Sequence, residues 1–170
     1  MPSIQISSLR RRFRLPSALH FGVLLALSFG AQADEAVLRQ PLLPKYQQEC
    51  SACHIAYPPG LLPAVSWQRL MGGLNRHFGS DASLDPADLR DISAWLQTQA
   101  GTYRRSQEAP PQDRITQSAW FLREHNSREI PAAVWKRPAV GSPANCAACH
   151  TQAAQGSFKE REIRIPKTSP

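Results

Sequence analysis

All four cysteines of this 170-residue chain fall in two C-x-x-C-H motifs, Cys50–His54 and Cys146–His150. On a helical turn, positions i and i+3 share a face and i+4 lies beside them. Cys50, Cys53 and His54 are therefore expected to point one way, as are Cys146, Cys149 and His150. Two thiols so placed can each add to a vinyl group of one haem, and the histidine then meets the iron from one side. C-x-x-C-H is the attachment pattern of c-type haem. Zinc is a poorer reading, because the pairs are far apart for a ribbon site and zinc does not explain a histidine after each pair. A thioredoxin-type redox pair needs a βαβ context that the sequence lacks.

The first 33 residues read as an address. A basic cluster, Arg10, Arg11, Arg12 and Arg14, precedes an apolar stretch from Leu15 to Phe29, and Ala31-Gln32-Ala33 follows. That is the layout of a cleaved secretory signal peptide. It places the chain from residue 34 onward in the periplasm, where thiols oxidise unless they are used. The apolar stretch is short for a membrane span. Of the 20 basic residues, four lie in this leader with no acid, leaving 16 against 13, a net +3. A nucleic-acid binder would keep its basic excess in the folded part, so that class is disfavoured.

The remainder is expected to be mainly α, with short helices and extended loops wrapped around two covalent haems. Fifteen prolines argue against long helices. The polar stretch 106–113, with Pro110 and Pro111, reads as a linker between an N-terminal haem c domain (34–107) and a C-terminal one (108–170). Units that small need a metal or cofactor to be stable. Helices are expected from Pro44 to Cys53, over 66–78, from Pro86 behind an Asp85 cap, over 116–125, and from Ser142 through the second motif to Gly156. The 66–78 helix would carry His77 on an apolar stripe with Trp67, Leu70, Met71 and Leu74, and Gly72 and Gly73 would let it approach a macrocycle closely. Residues 160–165 read as an extended tail.

Histidine counting supplies the distal ligands. Apart from His20 in the leader, four histidines exist: His54 and His150 in the motifs, and His77 and His125. Two saturated irons need four. Local pairing gives His54 with His77 and His150 with His125, although a crossed arrangement also satisfies the count. Met71, the one methionine after the leader, reads as core filler. The carbonyls of Tyr57-Pro58-Pro59-Gly60 are candidates to orient His54. Tyr46, Trp67, Trp95, Trp120 and Trp135 are candidate haem-packing aromatics. Arg69, Arg76, Arg104, Arg105, Arg123 and Arg128 are candidate propionate partners. Bis-histidine irons lack an open position, which favours electron transfer. The competing reading is a dihaem enzyme or gas binder with one open or labile iron.

The stretches CSACHIAYPPGLLPAVSWQRLMGGLNRHFGSDASLD (50–85), WFLREH (120–125) and ANCAACHTQAAQGSFKEREIRIP (144–166) resemble the periplasmic dihaem cytochrome c family, over about residues 40–167. The resemblance implies two c-type haems with histidine at both axial positions and a helical two-domain fold. It also implies electron transfer to an oxygen-binding monohaem c-type cytochrome, with a membrane b-type cytochrome as electron source. Cys50, Cys53, His54, Cys146, Cys149 and His150 carry over directly, and His77 and His125 match the expected distal positions.

Overall fold

The computed structural model describes residues 38–167. The expected signal peptide and His20 lie outside them. Five α-helices occur among the described residues: α1 (Pro44–Cys50), α2 (Ala64–Met71), α3 (Pro86–Gln99), α4 (Ala119–Glu124) and α5 (Ala132–Trp135). The rest is loop and three-residue 3-10 turns, with two isolated bridges and no strand among these residues. The mainly α class with short helices stands. No helix among the described residues is long and apolar enough to cross a membrane.

Local chemistry sets the helix ends. The α3 start is as expected: Asp85 Oδ1 accepts the Ala87 N–H at 2.8 Å, and Pro86 takes the first turn, where its missing donor is not needed. Ser118 caps α4 the same way, accepting from Phe121 N at 3.3 Å. Pro44 opens α1, but the helix stops at Cys50, so Cys53 and His54 lie in a turn rather than on the helix.

The expected 66–78 helix is two pieces. α2 ends at Met71, Gly72 and Gly73 interrupt it, and Leu74–Arg76 forms one 3-10 turn. His77 follows in an extended conformation and Phe78 has φ 51°. The glycines end the helix, since glycine is a poor helix residue; they do not bring a helix face to the haem site. The expected 116–125 helix likewise divides at Ser118 into a 3-10 turn and α4. The second motif sits on a 3-10 turn, Cys146–Ala148, and Gly156 closes a later turn with φ 72°. Residues 160–165 are not simply extended, because Glu160–Glu162 is a 3-10 turn and Ile163 bridges to His150.

One hydrophobic cluster holds the N-terminal half: Tyr46 from α1, Trp67 and Met71 from α2, Ile92 and Leu96 from α3, with Ala56 and Leu62 from the connecting loop. Met71 is core filler, as expected. Ile92 and Leu96 are fully buried, each contributing about 1.5–3 kcal/mol by leaving water. Trp67 buries its indole with the N–H satisfied by Pro59 O at 2.7 Å. The stretch 106–113 docks along this half. Ser106 is buried and donates to Gly60 O and Tyr103 O, and Arg69 makes a two-pronged ion pair with Asp113. From residue 114 to 167 the buried apolar side chains are few: Phe121, Val134, Val140 and Ala153. They do not join the N-terminal cluster.

Candidate functional site

The four histidines come together as two local pairs. The His54 and His77 ring centroids are 6.2 Å apart, and those of His125 and His150 are 6.0 Å apart. These are the pairings expected from chain proximity. A metal–imidazole bond is about 2.0 Å and the ring nitrogen lies about 1.1 Å from the ring centre, so two imidazoles on opposite sides of one metal have centroids roughly 6 Å apart. Each pair therefore fits one metal ion between its rings. Among the described residues no three His, Cys, Asp or Glu side chains converge as a metal cluster. A metal held by either pair would need its remaining donors from elsewhere, and a haem would supply them.

Second contacts fix two of the four rings. His54 Nδ1 lies 2.6 Å from Ile55 O, and His125 Nδ1 lies 3.1 Å from Phe121 O. A carbonyl only accepts, so in both rings Nδ1 carries the proton and Nε2 keeps its lone pair for a metal. The carbonyl for His54 comes from Ile55 and not from 57–60, because the turn after Cys53 folds the ring back onto its own neighbour. His77 Nδ1 and His150 Nδ1 are buried with no protein partner. Burial lowers the pKa of His77, His125 and His150, which favours the neutral form that can ligate.

No disulfide joins the four cysteines. Burial pushes Cys50 and Cys146 up to about 11 and also raises Cys149. The direction is opposite to the lowered pKa of the activated thiolates in redox pairs.

Aromatic rings line both pairs. Phe78 lies 4.8 Å from His77, and the Arg114 guanidinium sits 4.1 Å over the Phe78 ring. Phe121 stacks on His125 at 4.0 Å with planes 11° apart, Trp135 stands 6.1 Å from His125, and Phe158 is 5.3 Å from His150. Of the aromatics named from the sequence, Trp135 reaches a pair directly, whereas Tyr46 and Trp67 belong to the core and Trp95 packs against it. Trp120 contacts Tyr103 and Phe121. Phe158 and the stack of Tyr57 on His54 (4.7 Å) were not anticipated. Their one signal is position, an aromatic three residues after His54 and eight after His150. Arg69 and Arg105 are committed to Asp113 and Glu124.

The second motif is braced by the chain's end. Arg164 N donates to Cys149 O at 2.8 Å, Ile163 bridges to His150, and Thr151 Oγ1 donates to Glu162 O. The segment before α1 closes over it too: Arg39 donates to Ser157 Oγ at 2.8 Å.

Comparison with known proteins identifies the family. The sequence profile of the family described as DHC, dihaem cytochrome c, matches residues 46–158. No curated protein matches the chain. Among solved structures, a dihaem cytochrome c from Rhodobacter sphaeroides is 41% identical, with 68% of this chain and 96% of that one covered and a TM-score of 0.61. The DHC purified from the same organism is 43% identical, with coverages of 69% and 98% and a TM-score of 0.60. A dihaem cytochrome c from Shewanella baltica is 39% identical, with coverages of 72% and 92% and a TM-score of 0.63. With two C-x-x-C-H motifs and a histidine pair at each, the chain belongs to the dihaem cytochrome c family and binds two covalently attached haem c groups as an electron carrier.

Proposed function

We propose that the chain is a periplasmic carrier with two bis-histidine haems. In this reading Cys50 and Cys53 attach the first haem, with His54 and His77 on its iron. Cys146 and Cys149 attach the second, with His150 and His125 on its iron. The observation that supports it is the separation of the two ring pairs, 6.2 and 6.0 Å, each matching one metal between two imidazoles. Bound haem supplies a one-electron iron couple. The protein's part is to hold both axial positions closed. His54 and His125 are oriented by the Ile55 and Phe121 carbonyls, and His77 and His150 would supply the second ligand at each site. With all four rings in place no position is left for a substrate, in contrast to open catalytic metal sites.

The partners we propose follow the family resemblance: a membrane b-type cytochrome as donor and an oxygen-binding monohaem c-type cytochrome as acceptor. Export through residues 1–33 places the carrier in the periplasm with them. Absorption spectra of the holoprotein, oxidised and reduced, with carbon monoxide added to the reduced form, test the ligation. Low-spin spectra unmoved by carbon monoxide are expected. A carbon monoxide shift in about half the haem would mean one open or labile iron and would move the function to gas or peroxide chemistry.

A further inference from the structure

Tyr57 belongs to neither histidine pair, yet it contacts the first motif and the residue two before the second. Its ring stacks on His54, with centroids 4.7 Å apart and planes at 22°. Its hydroxyl donates to Ala144 O at 2.6 Å, 87 residues along the chain. The same carbonyl accepts the Cys146 N–H at 3.0 Å. One ring and two hydrogen bonds therefore connect the imidazole of the first motif to the first cysteine of the second. The residue is held from behind as well. Buried Tyr46 donates its hydroxyl to Tyr57 O at 2.7 Å, and the flanking Ala56 and Pro58 are buried. A side chain that only fills space needs neither polar tie.

We propose that Tyr57 is the bridge through which the two haem sites exchange an electron. This rests on the assignment of His54 as an axial ligand. One electron is lost by the iron at one site and gained by the iron at the other. Tyr57 is neither oxidised nor deprotonated. It offers a path of one ring stack, the covalent bonds of its side chain and two hydrogen bonds from His54 to the backbone of Cys146. Two other long-range polar links, Arg69 to Asp113 and Arg39 to Ser157, involve neither a paired histidine nor a motif cysteine.

Lying between two sites is not by itself evidence of coupling. The test uses the holoprotein with Tyr57→Phe, which keeps the stack and loses the hydroxyl bond, and with Tyr57→Leu, which loses both. After rapid partial reduction, redistribution of the electron between haems is followed by absorption. Tyr57→Phe is expected to slow it severalfold with both potentials and the low-spin spectra unchanged, and Tyr57→Leu to slow it further. Ultraviolet resonance Raman spectra, taken as wild type minus Tyr57→Phe, are expected to report a strongly donating hydroxyl. An unchanged redistribution rate in Tyr57→Phe overturns the proposal, as does a rate that moves only in step with a shifted potential, or a Tyr57 hydroxyl that does not donate. A high-spin or carbon monoxide-sensitive wild type would instead overturn the ligand assignment, so the two failures are distinguishable.

Discussion

His125 and His150 face each other 6.0 Å apart with their ring planes turned by 64°, whereas the His54 and His77 planes differ by 31°. An imidazole donates electron density to the iron d orbital perpendicular to its plane. Nearly parallel rings act on the same orbital and split the pair. Rings turned well apart act on both and leave them nearly degenerate, which makes the low-spin ferric signal more anisotropic. Electron paramagnetic resonance of the oxidised protein should therefore show two low-spin species of unequal anisotropy. His125→Ala should remove the more anisotropic one and His77→Ala the other. Identical signals, or loss of the wrong one, would contradict the ring geometry.

The two sites should also differ in potential. In the first site His54 donates Nδ1–H to Ile55 O at 2.6 Å, while in the second site the ring so bonded is His125, to Phe121 O at 3.1 Å. A stronger bond gives the ring more imidazolate character and makes it a more basic ligand, which favours ferric iron. His54 is also the most exposed of the four rings, and water stabilises the more highly charged ferric state. Both effects act in the same direction, so the first haem should be the lower-potential one. A spectroelectrochemical titration assigns it, with the His77→Ala change of spin state marking the first haem. Finding the marked haem at the higher potential would sink this assignment.

These contrasts depend on details the sequence carries unevenly. The cysteine motifs are legible because covalent attachment demands their spacing, and α3 because Asp85-Pro86 caps it locally. Counting histidines was enough to nominate His77, but not its conformation. The apolar stripe argued for one helix across 66–78, and the low helix propensity of Gly72-Gly73 won. The partner of His54 was placed at 57–60 from proline's lack of a donor, whereas a turn one residue long decides it. The contacts of Tyr57 with Ala144 and of Arg164 with Cys149 join residues 87 and 15 apart. No local pattern encodes them, since they arise only once the two motifs fold against distant chain.

Gly156 tests the closure over the second motif. Its φ is 72°, and a Cβ there would lie 2.2 Å from Leu38 O and 3.0 Å from Arg39 Cα, both backbone atoms that cannot turn aside. Gly156→Ala should therefore displace the 38–39 segment and loosen the Arg39–Ser157 bond, costing about 1–3 kcal/mol. Thermal unfolding of the holoprotein reads the loss. Gly141→Ala is the control: it also has positive φ, at 73°, but a Cβ there meets nothing within 4 Å, so it should cost less. Equal costs at the two positions would show that backbone strain alone matters.

The Arg69–Asp113 pair should make stability depend on acid. The Arg69 guanidinium holds the Asp113 carboxyl below its usual range. A depressed carboxylate contributes stability that is present above its unfolded pKa, about 3.9, and lost as pH falls through the lower folded value. Arg69 is half exposed, so solvent screens the pair and its contribution at neutral pH is small. Asp113→Asn should lower the unfolding temperature at pH 7 and have a smaller effect below pH ~3. A difference from wild type that is as large in acid as at neutrality would rule out the charged pair as its source.

The uneven core gives the last prediction. Residues 38–105 contain the cluster around Ile92, Leu96 and Trp67, while among the described residues from 114 to 167 only Phe121, Val134, Val140 and Ala153 are buried apolar residues. A chain segment that short with so few buried groups depends on its cofactor for a core. Replacing Cys146 and Cys149 with Ala should therefore release hydrogen-exchange protection across 119–164 while leaving α3 protected. Replacing Cys50 and Cys53 should leave α3 largely protected too, because Ile92 and Leu96 bury against Tyr46 and Trp67 without a haem. In the core itself, Ile92→Ala should cost about 2–5 kcal/mol by removing a fully buried side chain. If both double-cysteine variants lost protection over the whole chain alike, the N-terminal cluster would not be the independent core described here.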